Sequence, residues 1–153
     1  MSTCDLKSLR IAEIEVKYSV NIKPSERIGI TCSKDAADAF RTVWRQPLEL
    51  KECFYAMFLN RANKVLGTLL VSEGGISGCT VDLRSIFSAA LKANSSSVII
   101  AHNHPSNQSS PSEADLKITD KIKNVGQLLD IPVLDHIVML ADGYLSFADD
   151  GLL

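Results

Sequence analysis

The sequence has no long apolar run, and its start is charged. Among the 153 residues no stretch approaches the 18 or more uncharged apolar residues that a membrane-spanning helix needs. The first ten residues, MSTCDLKSLR, carry charges where a signal peptide would have its apolar core. We therefore expect a cytoplasmic protein without membrane contact.

Cysteine pairs are also missing, because Cys4, Cys32, Cys53 and Cys79 are scattered without any Cys-x-x-Cys spacing. The absence of Cys-x-x-Cys pairs argues against a zinc ribbon. A disulfide framework is typical of small secreted scaffolds, whereas this chain has ample core residues and no export signal. The sequence predicts reduced thiols, with Cys53 as a buried structural cysteine.

An excess of basic residues is absent as well, since 16 Lys and Arg stand against 18 Asp and Glu for a net charge of −2. Proteins that bind phosphate backbones usually show a basic excess. We expect weak nucleic-acid binding or none. Arg41, Arg45 and Lys51 are the candidate local patch, although such a set is more typical of a solvated helix face.

The composition that is present indicates one folded domain over residues 1–153, with 46% hydrophobic and 22% charged residues. Residues 1–45 are predicted as an N-terminal strand and helix. The strand is indicated by the alternating residues Ile14, Val16 and Tyr18. Ser33 is predicted to cap the helix, which ends before Pro47 and buries apolar residues at helical spacing, with Trp44 in the core. These apolar residues are Ala36, Ala37, Phe40, Val43 and Trp44.

The predicted core, residues 49–151, mixes strands and helices without strict alternation, which indicates an α+β fold with mixed α/β layers. Glu52–Leu59 is apolar on both faces and predicts a central strand that forms a hairpin with Val65–Val71. The further predicted elements are a helix over Leu83–Leu91, a short buried strand Val98–Ala101, a long helix to about Leu129, and a hairpin of 133–140 with 144–147 turning at Asp142-Gly143.

His102 and His104 stand two residues apart at the end of the predicted strand 98–101. Because a strand has a period of two, both imidazoles point to one side, which is a suitable spacing for binding one metal ion. A single histidine here would more simply face solvent.

The following helix supplies a third candidate ligand. Ser110-Pro111-Ser112-Glu113 has the form of a capping box in which Ser110 caps and Glu113 reaches back. Ser112 and Asp115 would then have no capping role, and both extend the buried stripe of the helix. A carboxylate facing the core is costly unless it is paired or binds a cation. With His102 and His104, Asp115 completes three ligands of a catalytic zinc site that leaves a fourth position for water.

The order His-x-His, seven residues, Ser-x-x-Asp resembles the JAMM metallopeptidase motif of the JAB/MPN domain, with matching spacing. The His102–Ser106 segment, Leu134–Val138 and Tyr144-x-Ser146-Phe147 further resemble the RadC family of that superfamily, over about Glu49–Gly151. The resemblance implies a cytidine-deaminase-like fold with a mostly antiparallel sheet flanked by helices. Long RadC proteins carry a helix-hairpin-helix region, and nothing in this sequence resembles it.

The resemblance also implies roles for two further residues. Glu52 matches the position of the general base. The alternation of side chains along the strand agrees with this role, since Glu52 shares a strand face with Phe54. Glu73 and Glu49 are alternative candidates for the general base. Glu73 stands in a predicted glycine loop, and Glu49 stands close to Pro47. Ser112 would donate a hydrogen bond to the developing oxyanion.

Two functions follow as expectations. The first is a zinc-dependent metallopeptidase or isopeptidase that hydrolyses an amide bond of a peptide or protein with a metal-activated water. The alternative is a JAB-like metal-binding module that acts in DNA repair or on mobile elements by binding protein or DNA without turnover. The role of His136 stays open at this stage: it either orients a ligand, contacts substrate, or is simply hydrogen-bonded to Asp135 or backbone.

Overall fold

The computed structural model describes residues 10–15, 17–74 and 80–153, which form three helices and a five-stranded sheet. A short 3₁₀ turn, Pro24–Glu26, precedes them. The helices are α1 (Ser33–Val43), α2 (Leu83–Lys92) and α3 (Glu113–Leu128). The strands are β1 (Cys53–Leu59), β2 (Val65–Glu73), β3 (Ser97–Asn103), β4 (Val133–Leu140) and β5 (Gly143–Ser146).

The sheet has the order β2-β1-β3-β4-β5, and only β3 and β4 pair in parallel. The predicted α+β fold with a mostly antiparallel sheet is therefore confirmed. The β1–β2 hairpin and the central position of β1 are confirmed too.

Helices cover the sheet on both faces. On one face α1 packs against alternate residues of β1, β3 and β4, and on the other α2 and α3 pack against the intervening residues. This arrangement explains why β1 and β3 are apolar at successive positions, since every side chain of these strands is buried. Trp44 packs beside Tyr55 on the α1 face with ring centroids 4.5 Å apart, in agreement with a core role.

Three local predictions are wrong. The described residues of 11–20 form no strand and are exposed, because alternation alone supplies no partner for the backbone, while Val16 lies outside the described residues. Cys32, not Ser33, is the N-cap position of α1, and the Ser33 hydroxyl instead hydrogen-bonds Asp149 at 2.5 Å. The last hairpin turns at residues 141–142, because Gly143 already pairs with Leu140.

Two of the four cysteines lie among the described residues, and both are free thiols. Cys32 is exposed and Cys53 is buried, and burial raises the pKa of the Cys53 thiol. Cys4 and Cys79 lie outside the described residues. Within the described part of the chain, no helix has the length and apolar character needed to cross a bilayer.

Gly126 allows the end of α3 to turn back closely onto the chain that leads into β4. The Ile131 N–H donates to the Gly126 carbonyl at 2.8 Å, and a Cβ on Gly126 would lie 2.4 Å from the Ile131 carbonyl oxygen. We expect Gly126→Ala to lower the free energy of unfolding in urea by about 1–3 kcal/mol, the usual cost of overpacking.

Gly67→Ala is the matched control, because a Cβ there meets nothing within 4 Å. Equal unfolding free energies for Gly126→Ala and the unsubstituted protein would show that this close approach is not a structural constraint.

Candidate metal centre

The site begins at the end of β3, where His102 is held on the face that α2 and α3 cover. His102 pairs with Phe54 of β1 and Val138 of β4. Its ring is stacked on the Phe54 ring, with the ring centroids 6.1 Å apart. Only 1% of the residue is exposed. His104 follows just beyond the strand on the same side, as the period of two predicts.

The N-terminus of α3 supplies the third side chain, and here the predicted capping is wrong. Ser112 is the N-cap residue: its hydroxyl accepts the Asp115 N–H at 3.1 Å, and Asp115 Oδ2 accepts the Ser112 N–H at 2.7 Å. Glu113 instead forms an ion pair with Lys117. Asp115 therefore caps the helix and faces the histidines at once, which fixes its carboxylate firmly.

The donor atoms of the three residues converge. The two Nε2 atoms of His102 and His104 lie 2.9 Å apart, and each is 3.2 Å from an oxygen of Asp115. Ligand atoms of all three residues lie within 4.8 Å of one another. Two imidazole nitrogens and one carboxylate oxygen form a donor set that suits zinc.

Protonation states at the site favour a cation. Burial raises the pKa of the Asp115 carboxyl, but when the His102 and His104 rings are protonated, their hydrogen bonds and that of the Ser112 N–H outweigh burial, so the pKa lies well below its ordinary value. The carboxylate is therefore ionised although only 9% of the residue is exposed. The hydrogen bond to Asp115 raises the pKa of His104, against the opposing effect of burial.

The tautomer of His104 is set by the backbone. Its Nδ1 lies 2.7 Å from the Gln108 carbonyl oxygen, which can only accept, so Nδ1 carries the hydrogen. In the neutral ring Nε2 then presents a lone pair toward His102 and Asp115. Lone pairs at these distances repel unless a proton or metal ion lies between them, and the residues present thus fit a zinc ion.

Glu52 lies beside this cluster. Phe54 pairs with His102, and continuing that register by two residues places Glu52 opposite His104. Glu52 is half-buried, lines the same cavity and contributes to the raised pKa of His104.

The two rival glutamates lie elsewhere. Glu73 pairs with Cys53, whose side chain belongs to the opposite face of the sheet, and it forms an ion pair with Lys51 at 3.1 Å. Glu49 is exposed in a turn before β1. Neither lines the cavity, so of the three acids only Glu52 is brought together with the histidines.

A cavity of about 920 Å³ opens over the cluster. The described residues that line it include no lysine or arginine. They are Glu52, Phe54, Thr80, Val81, His102, His104, Pro105, Ser106, Gln108, Ser110, Pro111, Ser112, Ala114, Asp115 and Ile118. The wall thus combines acids, hydroxyls and apolar groups.

Two residues lie behind the histidines, and the sequence left open the role of one of them, His136. His136 Nε2 lies 2.7 Å from His102 Nδ1, and Thr119 Oγ1 lies 2.6 Å from His136 Nδ1. Thr119 was not singled out at all, although its place four residues after Asp115 on the same helix was a usable signal.

Fold and donor set together define an α+β protein with a candidate metal centre between a strand end and a helix N-terminus. A family model of the RadC-like JAB domain matches residues 30–152. The chain belongs to this family, as the resemblance of its motifs predicted.

Relatives named only as UPF0758 proteins match most of the chain. The one from Flavobacterium johnsoniae is 42% identical over 123 residues, covering 80% of this chain and 53% of the relative. The protein of Salinibacter ruber is 38% identical over 128 residues, 84% of this chain and 54% of its own length. A third, from Pelodictyon phaeoclathratiforme, is 38% identical over 154 residues, covering 97% of this chain and 67% of the relative. The chain thus spans about half the length of the first two.

Proposed function

We propose that this protein is a zinc-dependent metallopeptidase or isopeptidase. The observation that carries the proposal is the convergence of His102, His104 and Asp115 at one end of a cavity that Glu52 also lines. A zinc ion held by these three residues would lower the pKa of a bound water toward about 7 and polarise a substrate carbonyl.

Glu52 is the general base in this proposal. It accepts a proton from the attacking water and delivers it to the leaving amine, a role typically worth about 10²–10⁴-fold in rate. Its place opposite His104 supports the role, because a base must lie within hydrogen-bond reach of the water rather than bind the metal itself.

Ser112 is proposed to stabilise the oxyanion. Its hydroxyl oxygen uses a lone pair to accept the Asp115 N–H, which leaves the hydroxyl hydrogen available for donation into the cavity. Loss of one such donor generally costs about 10²–10³-fold in turnover. Capping and oxyanion stabilisation are therefore compatible in the same side chain.

The cavity wall supports a peptide rather than a phosphodiester as substrate. Anionic phosphates are usually bound by arginine or lysine, and the described lining residues offer neither. An amide is neutral, so it enters an acidic and hydroxyl-lined cavity without charge repulsion.

The proposal is tested by incubating the zinc-loaded protein with a diverse peptide library and with isopeptide-linked peptides, and detecting new termini by mass spectrometry. We expect cleavage that stops when zinc is removed by a chelator and returns when zinc is restored. Stable zinc binding without any cleavage product in either set would contradict the peptidase assignment and favour a binding-only module.

Nucleic-acid affinity should be weak. Two residues of the candidate basic patch are engaged within the protein: the Arg41 guanidinium donates to the carbonyls of Leu140 and Gly143, and Lys51 pairs with Glu73. Fluorescence titration with single- and double-stranded oligonucleotides at about 150 mM salt should give dissociation constants no tighter than about 10⁻⁶ M. Tighter binding that is lost on neutralising Arg41, Arg45 and Lys51 would instead support a DNA-binding role.

A further inference from the structure

We propose that Thr119 and His136 are positioning residues that set the tautomer of His102, so that its Nε2 presents a lone pair to the metal. The inference rests on the proposed metal centre and assigns a role to two buried residues that do not reach the cavity themselves. It is carried by a chain of three hydrogen bonds in which each donor can be deduced.

The chain starts at Thr119. Its hydroxyl donates to the backbone carbonyl of Asp115 at 2.6 Å, and a hydroxyl has only one hydrogen. Thr119 Oγ1 must therefore act as the acceptor in its second short contact, 2.6 Å from His136 Nδ1. His136 thus carries a hydrogen on Nδ1.

The second link is the uncharged ring of His136. The residue is 0% exposed, and its ring lies between those of Phe54 and Phe147, with centroids 5.7 and 4.5 Å away. A charged ring would be buried here with its two nitrogens facing the Thr119 hydroxyl and the His102 ring rather than a carboxylate, which is costly, so the geometry favours the neutral ring. Its Nε2 then carries no hydrogen and can only accept a hydrogen bond.

Asp135 does not supply the missing charge. One of its oxygens accepts the backbone N–H of His136 and the other accepts the Ser146 hydroxyl, so the carboxylate holds the β4–β5 backbone rather than the ring. The sequence left open whether Asp135 satisfies His136, and the structure shows that the His136 ring contacts Thr119 and His102 instead.

The third link reaches the metal ligand. Because His136 Nε2 is bare, His102 Nδ1, 2.7 Å away, must carry the hydrogen and donate it. A neutral His102 then has its lone pair on Nε2, the atom that faces His104 and Asp115. Without the Thr119 hydroxyl, His136 can adopt the tautomer with its hydrogen on Nε2 and donate that hydrogen to His102 Nδ1. His102 then carries its own hydrogen on Nε2, where it blocks metal binding.

The matched test pair is Thr119→Val and Thr119→Ser. Valine keeps the shape and removes the acceptor, whereas serine keeps the hydroxyl. Zinc affinity is measured by competition with a chromophoric chelator, and thermal unfolding shows that each variant is folded. We expect Thr119→Val to weaken zinc binding by about 10–100-fold, the usual effect of removing a partner of a ligating histidine. Thr119→Ser should bind zinc like the unsubstituted protein.

The tautomers are read directly in the zinc-free protein at about pH 8, above the ordinary pKa of histidine. The chain has three histidines, so the ring ¹H–¹⁵N correlations of ¹⁵N-histidine-labelled protein are readily assigned. We expect His102 and His136 to carry their hydrogen on Nδ1, and His136 to change to Nε2 in Thr119→Val. If Thr119 had only a structural role, the hydrogen of His136 would stay on Nδ1 in Thr119→Val.

The proposal is overturned if His136 carries its hydrogen on Nε2 in the unsubstituted protein, or if folded Thr119→Val retains full zinc affinity. Failure of the metal centre is a separate result. In that case the unsubstituted protein takes up no zinc, while the spectra still decide the tautomers of His102 and His136.

Discussion

The double variant His102→Ala/His104→Ala should bind no zinc, whereas the unsubstituted protein should bind one ion per chain. Two of the three candidate ligands are removed, and a single carboxylate does not hold zinc against solvent. The change leaves His136 Nε2 and the Asp115 carboxylate without their histidine partners, so thermal unfolding is measured to show that the double variant is folded. Elemental analysis of protein purified without chelator measures the stoichiometry.

Cys32→Ser serves as the control, because Cys32 is an exposed free thiol on the chain leading into α1. It should keep one zinc per chain. Full zinc content in the folded double histidine variant would show that the metal lies elsewhere, and zinc lost in Cys32→Ser would indicate a cysteine site instead.

Glu52→Gln should keep its zinc and lose hydrolysis by about 10²–10⁴-fold, the usual contribution of a general base. The amide is nearly isosteric with the carboxylate but cannot accept the proton of the attacking water. Because Glu52 is not among the three converging ligands, the metal should remain at one per chain. The turnover rate and the zinc content are measured on the same preparation.

Glu73→Gln and Glu49→Gln are the matched controls. Glu73 lies on the other face of the sheet in a partly exposed ion pair with Lys51, which is worth little to stability, and Glu49 is exposed. Both variants should retain activity. An active Glu52→Gln protein together with an inactive Glu73→Gln or Glu49→Gln protein would move the base to that position.

The sheet was largely predictable because β1 and β3 are buried on both faces and leave continuous apolar runs. The alternating apolar residues around Ile14 and Tyr18 led to a wrong strand prediction. Alternation indicates two different faces, but it does not indicate whether another strand is available to pair with the segment. Tyr18 does contact the sheet through its hydroxyl, which donates to the Leu66 carbonyl at 2.7 Å.

The candidate metal ligands were predictable from the strand period and the buried stripe of α3. The cap was not, because Ser110 and Ser112 each stand three residues before an acid, and sequence spacing does not choose between them. The choice depends on tertiary contacts: Asp115 gains two histidine partners that Glu113 cannot reach.

The contacts of Thr119 and His136 with the candidate metal ligands could not be predicted without the structure. His136 belongs to β4, which reaches β3 by a parallel crossover through α3, and it lies 34 residues from His102 in sequence. The parallel register in which Ile100 pairs with His136 places the His136 ring beside the His102 ring and the Thr119 hydroxyl. Periodicity along one segment cannot indicate such a contact.

The central claim is a zinc ion between His102, His104 and Asp115. Diffraction data from crystals grown with zinc, collected on both sides of the zinc absorption edge, test it most directly. We predict an anomalous peak about 2.0–2.2 Å from Nε2 of both histidines and from an Asp115 oxygen. A map without such a peak, from crystals in which all three side chains are ordered and zinc is in excess, would contradict it.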